Sequence, residues 1–552
     1  MGKRQMTLRF TRRGLLAASA FALAFPACTT AAEQSAPGFG FTHGVASGEP
    51  RSTSVVLWTR YMPKLAAPAR LRVEVATDET FRNIVATGES TASAETDWCV
   101  RATASGLPAG RWLHYRFVSP SGERSPAGRT RTLPEGRVER FRMAVFSCSN
   151  ATSGWFNAYA HAAARDDLDL AVHTGDYIYE SPVTRPDAIP GLREARHLEP
   201  AGEIVQLADY RQRYASYRLD ADLAALHARL PMIATWDDHE TANNSWADGA
   251  DAHDPATEGD WGARKLAGMR AYHEWLPVSD RWWESYSIGD LATLFRLETR
   301  LAGRTQQLDP QLSAILSAGD AGMRASLAAF RSGLLADPAR SMMGAEQERW
   351  LADGLAASVA SGARWQILAQ QVIIGETLFP TGAQNWFAPG YQLTAQDQAD
   401  FAARRLMTDL GVPFSMDKWD GYPAARQRLY AAARAAKANL VALTGDSHNA
   451  WAFDLADAAG PVGVEFAGQS VSSFGYERRF GGDPLRIAAD FMAQNPGMRF
   501  MDASQRGYMV LDITPDRIET EYVFLPSRDI RSVAALGARK LTVEHGARRL
   551  SA

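Results

Sequence analysis

The sequence predicts an α/β protein whose buried parallel strands alternate with helices, preceded by a small β-sandwich domain. Before residue 135, short β-rich runs are separated by Gly, Pro and Ser clusters. From about residue 140 the rhythm changes to strand, helix, strand, the signature of βαβ units. In this second region, apolar runs end at four polar clusters: Ser147-Cys148-Ser149-Asn150, Gly175-Asp176-Tyr177-Ile178-Tyr179, Trp236-Asp237-Asp238-His239-Glu240 and Gly445-Asp446-Ser447-His448. Apolar runs that stop at a polar break read as carboxyl ends of buried parallel strands, and α/β proteins gather ligands at that edge.

The elements follow in order. In the sandwich, predicted for 38–135, strands are expected at Val55–Thr59, Leu71–Val75 and Trp112–Phe117. Turns fall at Pro108-Ala109-Gly110 and Ser119–Gly122, with a boundary near Pro134-Glu135-Gly136. No catalytic cluster stands out there. In the second domain, 138–540, Phe141–Phe146 and Leu168–Val172 are strands joined by a helix over Ala158–Asp167. A long helix over Leu207–Leu230 leads to a strand at Pro231–Trp236. Helices follow at Ala263–Leu276 and Gly344–Ser361, a strand at Trp365–Ile374, and an aromatic, Gly/Pro-rich loop at Phe379–Tyr391. A helix at Ala424–Lys437 precedes the strand Leu440–Leu443, and Tyr508–Ile513 with Ile518–Phe524 are expected to close a second sheet. For the end, Gly546-Ala547-Arg548-Arg549-Leu550, a cap over the site and a frayed tail are both open readings.

Composition removes several function classes. With 59 Lys+Arg against 62 Asp+Glu, the net charge of −3 offers no bulk basic surface for nucleic acid. No run after the leader approaches the roughly 18 apolar residues of a membrane span. The leader reads as a twin-arginine export signal: Thr11-Arg12-Arg13-Gly14-Leu15-Leu16, an Ala-rich apolar run to Phe25, then small residues. Removing residues 1–32 takes away five positive charges and no negative ones, leaving −8. A periplasmic or secreted address follows, with the export machinery as partner. Phe25-Pro26-Ala27-Cys28 also resembles a degenerate lipoprotein box, so lipid anchoring at Cys28 stands beside cleavage after Ala31-Ala32. Of the interior cysteines, Cys99 reads as a buried apolar residue and Cys148 as part of the site, so no disulfide is expected between them.

Singly, each cluster has an ordinary reading: Gly-Asp after a strand is a turn, and a buried Cys is a small hydrophobe. Together, at successive strand ends, they bring a thiol, carboxylates, a phenol and imidazoles to one edge, the donor types of a metal site. Thr174-Gly175-Asp176 and Thr444-Gly445-Asp446 also echo one another.

This series resembles the PhoD-like alkaline phosphatases of the calcineurin-like metallophosphoesterase superfamily. The resemblance extends to Phe41–Gly48, Ala208-Asp209-Tyr210-Arg211 and Trp419-Asp420-Gly421-Tyr422, and so covers nearly all of the chain after the leader. It implies a core of two facing mixed sheets flanked by helices, which would set the two Thr-Gly-Asp ends opposite each other. It further implies ferric iron on Cys148, Asp176, Tyr179 and His448, with Asp176 bridging to a second, calcium-like site on Asp238, Asn243 or Asn244, and Asp446. The implied reaction is hydrolysis of phosphate mono- or diesters by a metal-bound hydroxide, without a phosphoenzyme. His239 would stabilise charge, protonate the leaving alkoxide or hydrogen-bond Asp238. Asn150, Arg300 and Arg304 are candidates for phosphate contact. Leu297-Glu298-Thr299-Arg300 departs from the family, which more often has Asp before Thr-Arg. Two alternatives remain open. One is a dedicated phosphodiesterase or phospholipase acting on lipid or teichoic-acid-like esters, with Trp282, Trp283, Trp386 and Phe387 lining a pocket or packing in the core. The other is a non-catalytic envelope binding protein with structural metals.

Overall fold

The computed structural model describes residues 38–184, 189, 191–318 and 322–551. The leader and Cys28 lie outside the described residues. Two large sheets face one another. One has nine strands, in the order Gly537–Glu544, Arg517–Leu525, Arg506–Ile513, Phe141–Phe146, Leu170–His173, Met232–Ala234, Gly40–Gly48, Ser54–Met62 and Cys99–Ser105. The other has seven, in the order Glu284–Ile288, Ala292–Arg296, Trp365–Ala369, Leu440–Thr444, Gly460–Ala467, Ala450–Asp457 and Met498–Asp502. The strands that lead to the site run parallel: Phe141–Phe146 beside Leu170–His173, and Leu170–His173 beside Met232–Ala234.

The period-two geometry of a strand sorts the side chains into layers. Met143 and Val145 point into the core between the sheets, where Val441 and Leu443 meet them. Ala144 and Phe146 face the other way, under Tyr159, Tyr210 and Leu226 of the helices Asn157–Ala163, Leu207–Arg218 and Ala221–Arg229. Ala442 turns outward beneath Leu351, Leu355 and Leu429 of the helices Gly344–Ala360 and Pro423–Ala435. Both faces of these central strands are therefore buried. That is why they read as continuous apolar runs.

The N-terminal region is a sandwich of two sheets, Gly40–Gly48 with Ser54–Met62 and Cys99–Ser105 against a four-stranded sheet containing Ala69–Ala76 and Trp112–Val118. Leu57, Val100, Leu71, Val73, Leu113 and Phe117 fill the space between them. Its first sheet also continues the nine-stranded one, through the parallel pairing of Gly48 with Met232.

Four expectations are corrected. The helix over Leu207–Leu230 is two helices, because Asp220 Oδ1 accepts from the amides of Asp222 and Leu223, both at 3.0 Å, and starts a new helix there. The strand from Trp365 ends at Ala369. The apolar residues beyond it remain buried as a loop, with the Ile374 and Gly375 amides donating to the Glu465 carboxylate at 2.9 and 2.8 Å. The strands Arg506–Ile513 and Arg517–Leu525 close no second sheet, since the former pairs with Phe141–Phe146 at the centre of the first. The chain end neither caps the site nor frays. Leu550 is buried between the sheets, its amide donating to Asp454 Oδ1 at 2.7 Å.

Candidate metal centre

The four polar clusters meet where the two sheets abut. Cys148 N donates to Gly175 O at 3.1 Å and Ser149 N to Asp176 O at 2.9 Å, locking the first two strand-end loops together. Two glycines permit the approach. A Cβ on Gly175, whose φ is +109°, would lie 2.4 Å from Asp237 Cβ. One on Gly445, from the opposite sheet, would lie 2.6 Å from Ser147 Cβ and 2.7 Å from Thr174 Oγ1. The paired Thr-Gly-Asp ends thus do face one another across the sheets.

The backbone itself is unusual here. Cys148, Asp176, Asn244, Asp446 and His448 all adopt left-handed conformations, with φ between 53° and 63°. Non-glycine residues rarely do so, and such strain concentrates at functional sites. Glu240 braces the turn, its carboxylate accepting from the amides of Asp176, Tyr177 and Asp237 at 3.2, 2.5 and 2.7 Å.

Three overlapping donor groups result. Ligand atoms of Cys148, Asp176 and His448 lie within 4.8 Å of one another, as do those of Asp176, Asp238 and His239, and of Asp237, Asp238 and Asp446. The Tyr179 hydroxyl joins the first group, 3.0 Å from Asp176 Oδ2, 3.2 Å from His448 Nε2 and 2.8 Å from Ser473 Oγ. His448 Nδ1 donates to the Phe474 carbonyl at 2.9 Å, which leaves Nε2 with its lone pair towards the cluster, the arrangement of a metal-ligating imidazole. Burial, helped by Arg506, pushes His448 down to about 3 and keeps it neutral.

The electrostatics are those of crowded, buried acidic groups. Burial raises the Asp176 carboxyl, and Asp238 and Asp237 raise it further against the pull of His239. Burial and Asp176 likewise push up the Cys148 thiol and the Tyr179 phenol. Asp446 is raised to about 6 by burial and Asp417. Asp176 Oδ1 and Asp237 Oδ2 are buried with no hydrogen-bond partner among the described residues, a costly state unless something binds there. A thiol, a phenol and an imidazole suit a transition metal, and carboxylates with amides suit a hard cation, so the donor set fits a metal pair.

Asp238, by contrast, stays ionised. Burial opposes this, but Arg300 and His239 outweigh it. His239 Nδ1 is held by Glu180 Oε2 at 2.5 Å. Burial lowers its pKa, but Glu180, Asp176 and Asp238 override that, so the imidazole favours its charged form. Glu180 also accepts the Asn243 amide at 2.8 Å. Asn244 gives its backbone N–H to Asp238 Oδ2 at 2.7 Å and its side-chain NH₂ to Asp251 at 3.0 Å.

Three candidate phosphate contacts are placed differently. Asn150 Oδ1 accepts from Thr152 N and Oγ1 at 3.0 and 2.7 Å, within a local turn. The fully buried Arg300 reaches Asp237 through Nε at 2.5 Å, both Asp417 oxygens through Nη1 at 2.7 and 2.9 Å, and Asp446 through Nη2 at 3.2 Å. Arg304 is occupied by Tyr422, Thr299 and Asp417. Both guanidinium groups neutralise protein carboxylates, which leaves no fork for phosphate. Glu298 has a bracing role, accepting from Trp236 Nε1 and from the amides of Arg300, Leu301 and Ala302. Sequence reasoning did not single out Glu180, Asp417 or Ser473. Asp417 had a signal, two residues before the Trp419-Asp420-Gly421-Tyr422 segment, whereas Ser473 had none.

Facing sheets with hard and soft donors at their common edge define the metallophosphoesterase class. The pattern described as "PhoD-like phosphatase" matches residues 143–522, and that of "PhoD-like phosphatase, N-terminal domain" matches residues 27–134. Alkaline phosphatase D of Bacillus subtilis (strain 168) is 34% identical over 520 residues, covering 89% of this chain and 79% of that protein. A solved structure of PhoD is similar with a TM-score of 0.73 at 29% identity, over 93% of this chain and 92% of that one. The chain belongs to the PhoD-like phosphatase family and is a phosphoric ester hydrolase.

Proposed function

We propose that the protein is an exported, metal-dependent alkaline phosphatase that hydrolyses phosphate monoesters, diesters or both. The observation that carries this reading is the convergence of three overlapping donor groups, all sharing Asp176 or Asp238. Cys148, Asp176, Tyr179 and His448 would hold ferric iron. Asp176, Asp238 and Asp446, with the amide of Asn243 or Asn244, would hold a second cation, calcium by its oxygen ligands. When bound, such a pair supplies Lewis acidity towards the ester and lowers the pKa of water.

The chain's own residues do the rest. With Nδ1 tied to Glu180, His239 has Nε2 available to donate a proton to the leaving alkoxide. Its ring lies 4.1 Å from that of Tyr179, centroid to centroid, which limits its swing. Glu240 fixes the loop that carries Asp176, and Arg300 holds Asp237, Asp417 and Asp446 in place. The twin-arginine leader supports export. No helix among the described residues is long and apolar enough to cross a membrane.

The test is metal content and visible absorption of the protein isolated before any chelator, with mono- and diester assays alongside. About one iron per chain, a broad tyrosinate band abolished by Tyr179→Phe, and turnover lost in Asp176→Ala are expected. Colourless protein holding zinc or manganese would overturn the roles given to Cys148 and Tyr179. Full turnover by metal-stripped protein would overturn the mechanism.

A further inference from the structure

A cavity of about 400 Å³ lies between the loop after Phe379 and the helices Ala395–Asp409 and Tyr476–Phe480. Its walls combine three kinds of group. Six aromatic rings line it, among them Phe387, Phe401, Phe414 and Phe480. Two guanidinium groups, Arg404 and Arg479, stand among them, Arg404 lying 5.0 Å over the Phe379 ring. Carboxylates complete the lining, and Asp309 Oδ2 is buried there without a hydrogen-bond partner among the described residues.

Two chains of contacts lead from the cavity wall to the metal centre. His448 donates to the Phe474 carbonyl, and Tyr476, two residues on, is a wall residue. Two residues span at most about 7 Å. In the second, the Phe414 ring lies 5.1 Å from the Lys418 ammonium. Asp417, the neighbour of Lys418, holds the Arg300 that reaches Asp446. Lys418 Nζ is buried and has no hydrogen-bond partner among the described residues. Lys418 lies over the Phe414 and Trp451 rings, and Asp446, Asp420, Glu465 and Asp417 favour its charged form against burial, so it stands between the cavity wall and the carboxylate cluster.

An acyl chain would leave the Asp309 carboxylate and the arginines unmatched, at a desolvation cost. A planar, hydrogen-bonding ring satisfies all three wall chemistries: it stacks on aromatic faces, donates amino hydrogens to a carboxylate and accepts from guanidinium groups. We infer that this cavity is a leaving-group subsite for a nucleobase, so that the favoured esters are nucleotides or nucleotide-terminated diesters. The phosphate end rests on the chemistry proposed for the metal centre. The base sits in the cavity, Lys418 faces the anionic linkage, and the P–O bond to the nucleoside breaks with the nucleoside leaving as an alcohol.

The test uses the full metal-loaded chain. Wild type is expected to favour adenosine monophosphate over glycerol 3-phosphate by tenfold or more in kcat/KM. Phe401→Ala, at a half-buried wall position, is expected to lose about tenfold on the nucleotide while glycerol 3-phosphate stays within twofold. Equal losses on both esters, absence of any preference, or a preference for a long-chain lysophosphatidate would each overturn the assignment. Saturation-transfer NMR with adenosine, which carries no phosphate, reads the cavity independently of turnover. A signal lost in Phe401→Ala supports the subsite even if no ester is hydrolysed, an outcome that would refute the metal-centre chemistry instead. No adenosine signal from folded wild type would overturn the subsite.

Discussion

Arg300 is the position where the structure departs most sharply from the expectation of a phosphate ligand, and Arg300→Met separates the two roles. The guanidinium is fully buried and lies 3.6 Å or less from carboxylate oxygens of Asp237, Asp238, Asp417 and Asp446. At an effective dielectric of about 20, each such contact is worth roughly 5–7 kcal/mol before desolvation. Removing one partner of a buried ion pair typically costs about 3–5 kcal/mol net. An unfolding entropy near 2.1 cal/mol/K per residue gives roughly 1.1 kcal/mol/K for a chain of this length, so the melting temperature should fall by about 3–5 °C. The bare carboxylates then take up protons more readily in the folded state than in the unfolded one. The deficit should therefore shrink as pH is lowered from 8 towards 5. Differential scanning fluorimetry across that range, beside KM for a monoester, makes the distinction. A variant with the wild-type melting temperature and a KM raised tenfold would mean that Arg300 binds substrate, and the reasoning would fail.

Gly445→Ala should force the two sheet edges apart, because its Cβ has 2.6 Å to Ser147; metal analysis should show loss of bound metal together with more than tenfold loss of activity. Glu240→Ala strands three buried amides and should cost about 3 kcal/mol of stability, read by chemical denaturation. His173, fully buried against Tyr159, is pushed down to about 3 by burial. Its folded pKa lies below its unfolded one, so its contribution is complete above pH 6.5 and is lost as pH falls from 6.5 towards 3. That window is worth up to about 5 kcal/mol, and His173→Gln should flatten the acid limb of a stability-against-pH curve.

The strands that lead to the site were legible because both their faces are buried, which leaves an unbroken apolar run that stops at a polar turn. Phe141–Phe146 appears with the bounds its residues suggested. Strands such as Ile84–Ala92, exposed over most of its length, carry no such pattern and were not anticipated. The run after Ala369 misled because a buried loop can be as apolar as a strand once a distant carboxylate, Glu465, satisfies its amides. In the site, chemically loud residues such as Cys148, Asp176 and His448 could be found from the chain. Whether an arginine faces substrate or protein could not, because the acids that claim Arg300 lie 63, 117 and 146 residues away from it.

The place of Arg506–Ile513 bears on the order of events in the cell. This strand is the antiparallel neighbour of Phe141–Phe146, the strand that leads to Cys148, so the edge presenting the thiol is complete only once the chain has been made as far as Arg506–Ile513. Contacts of such long sequence separation form late in folding. The donor cluster is then a product of finished folding, not a nucleus for it.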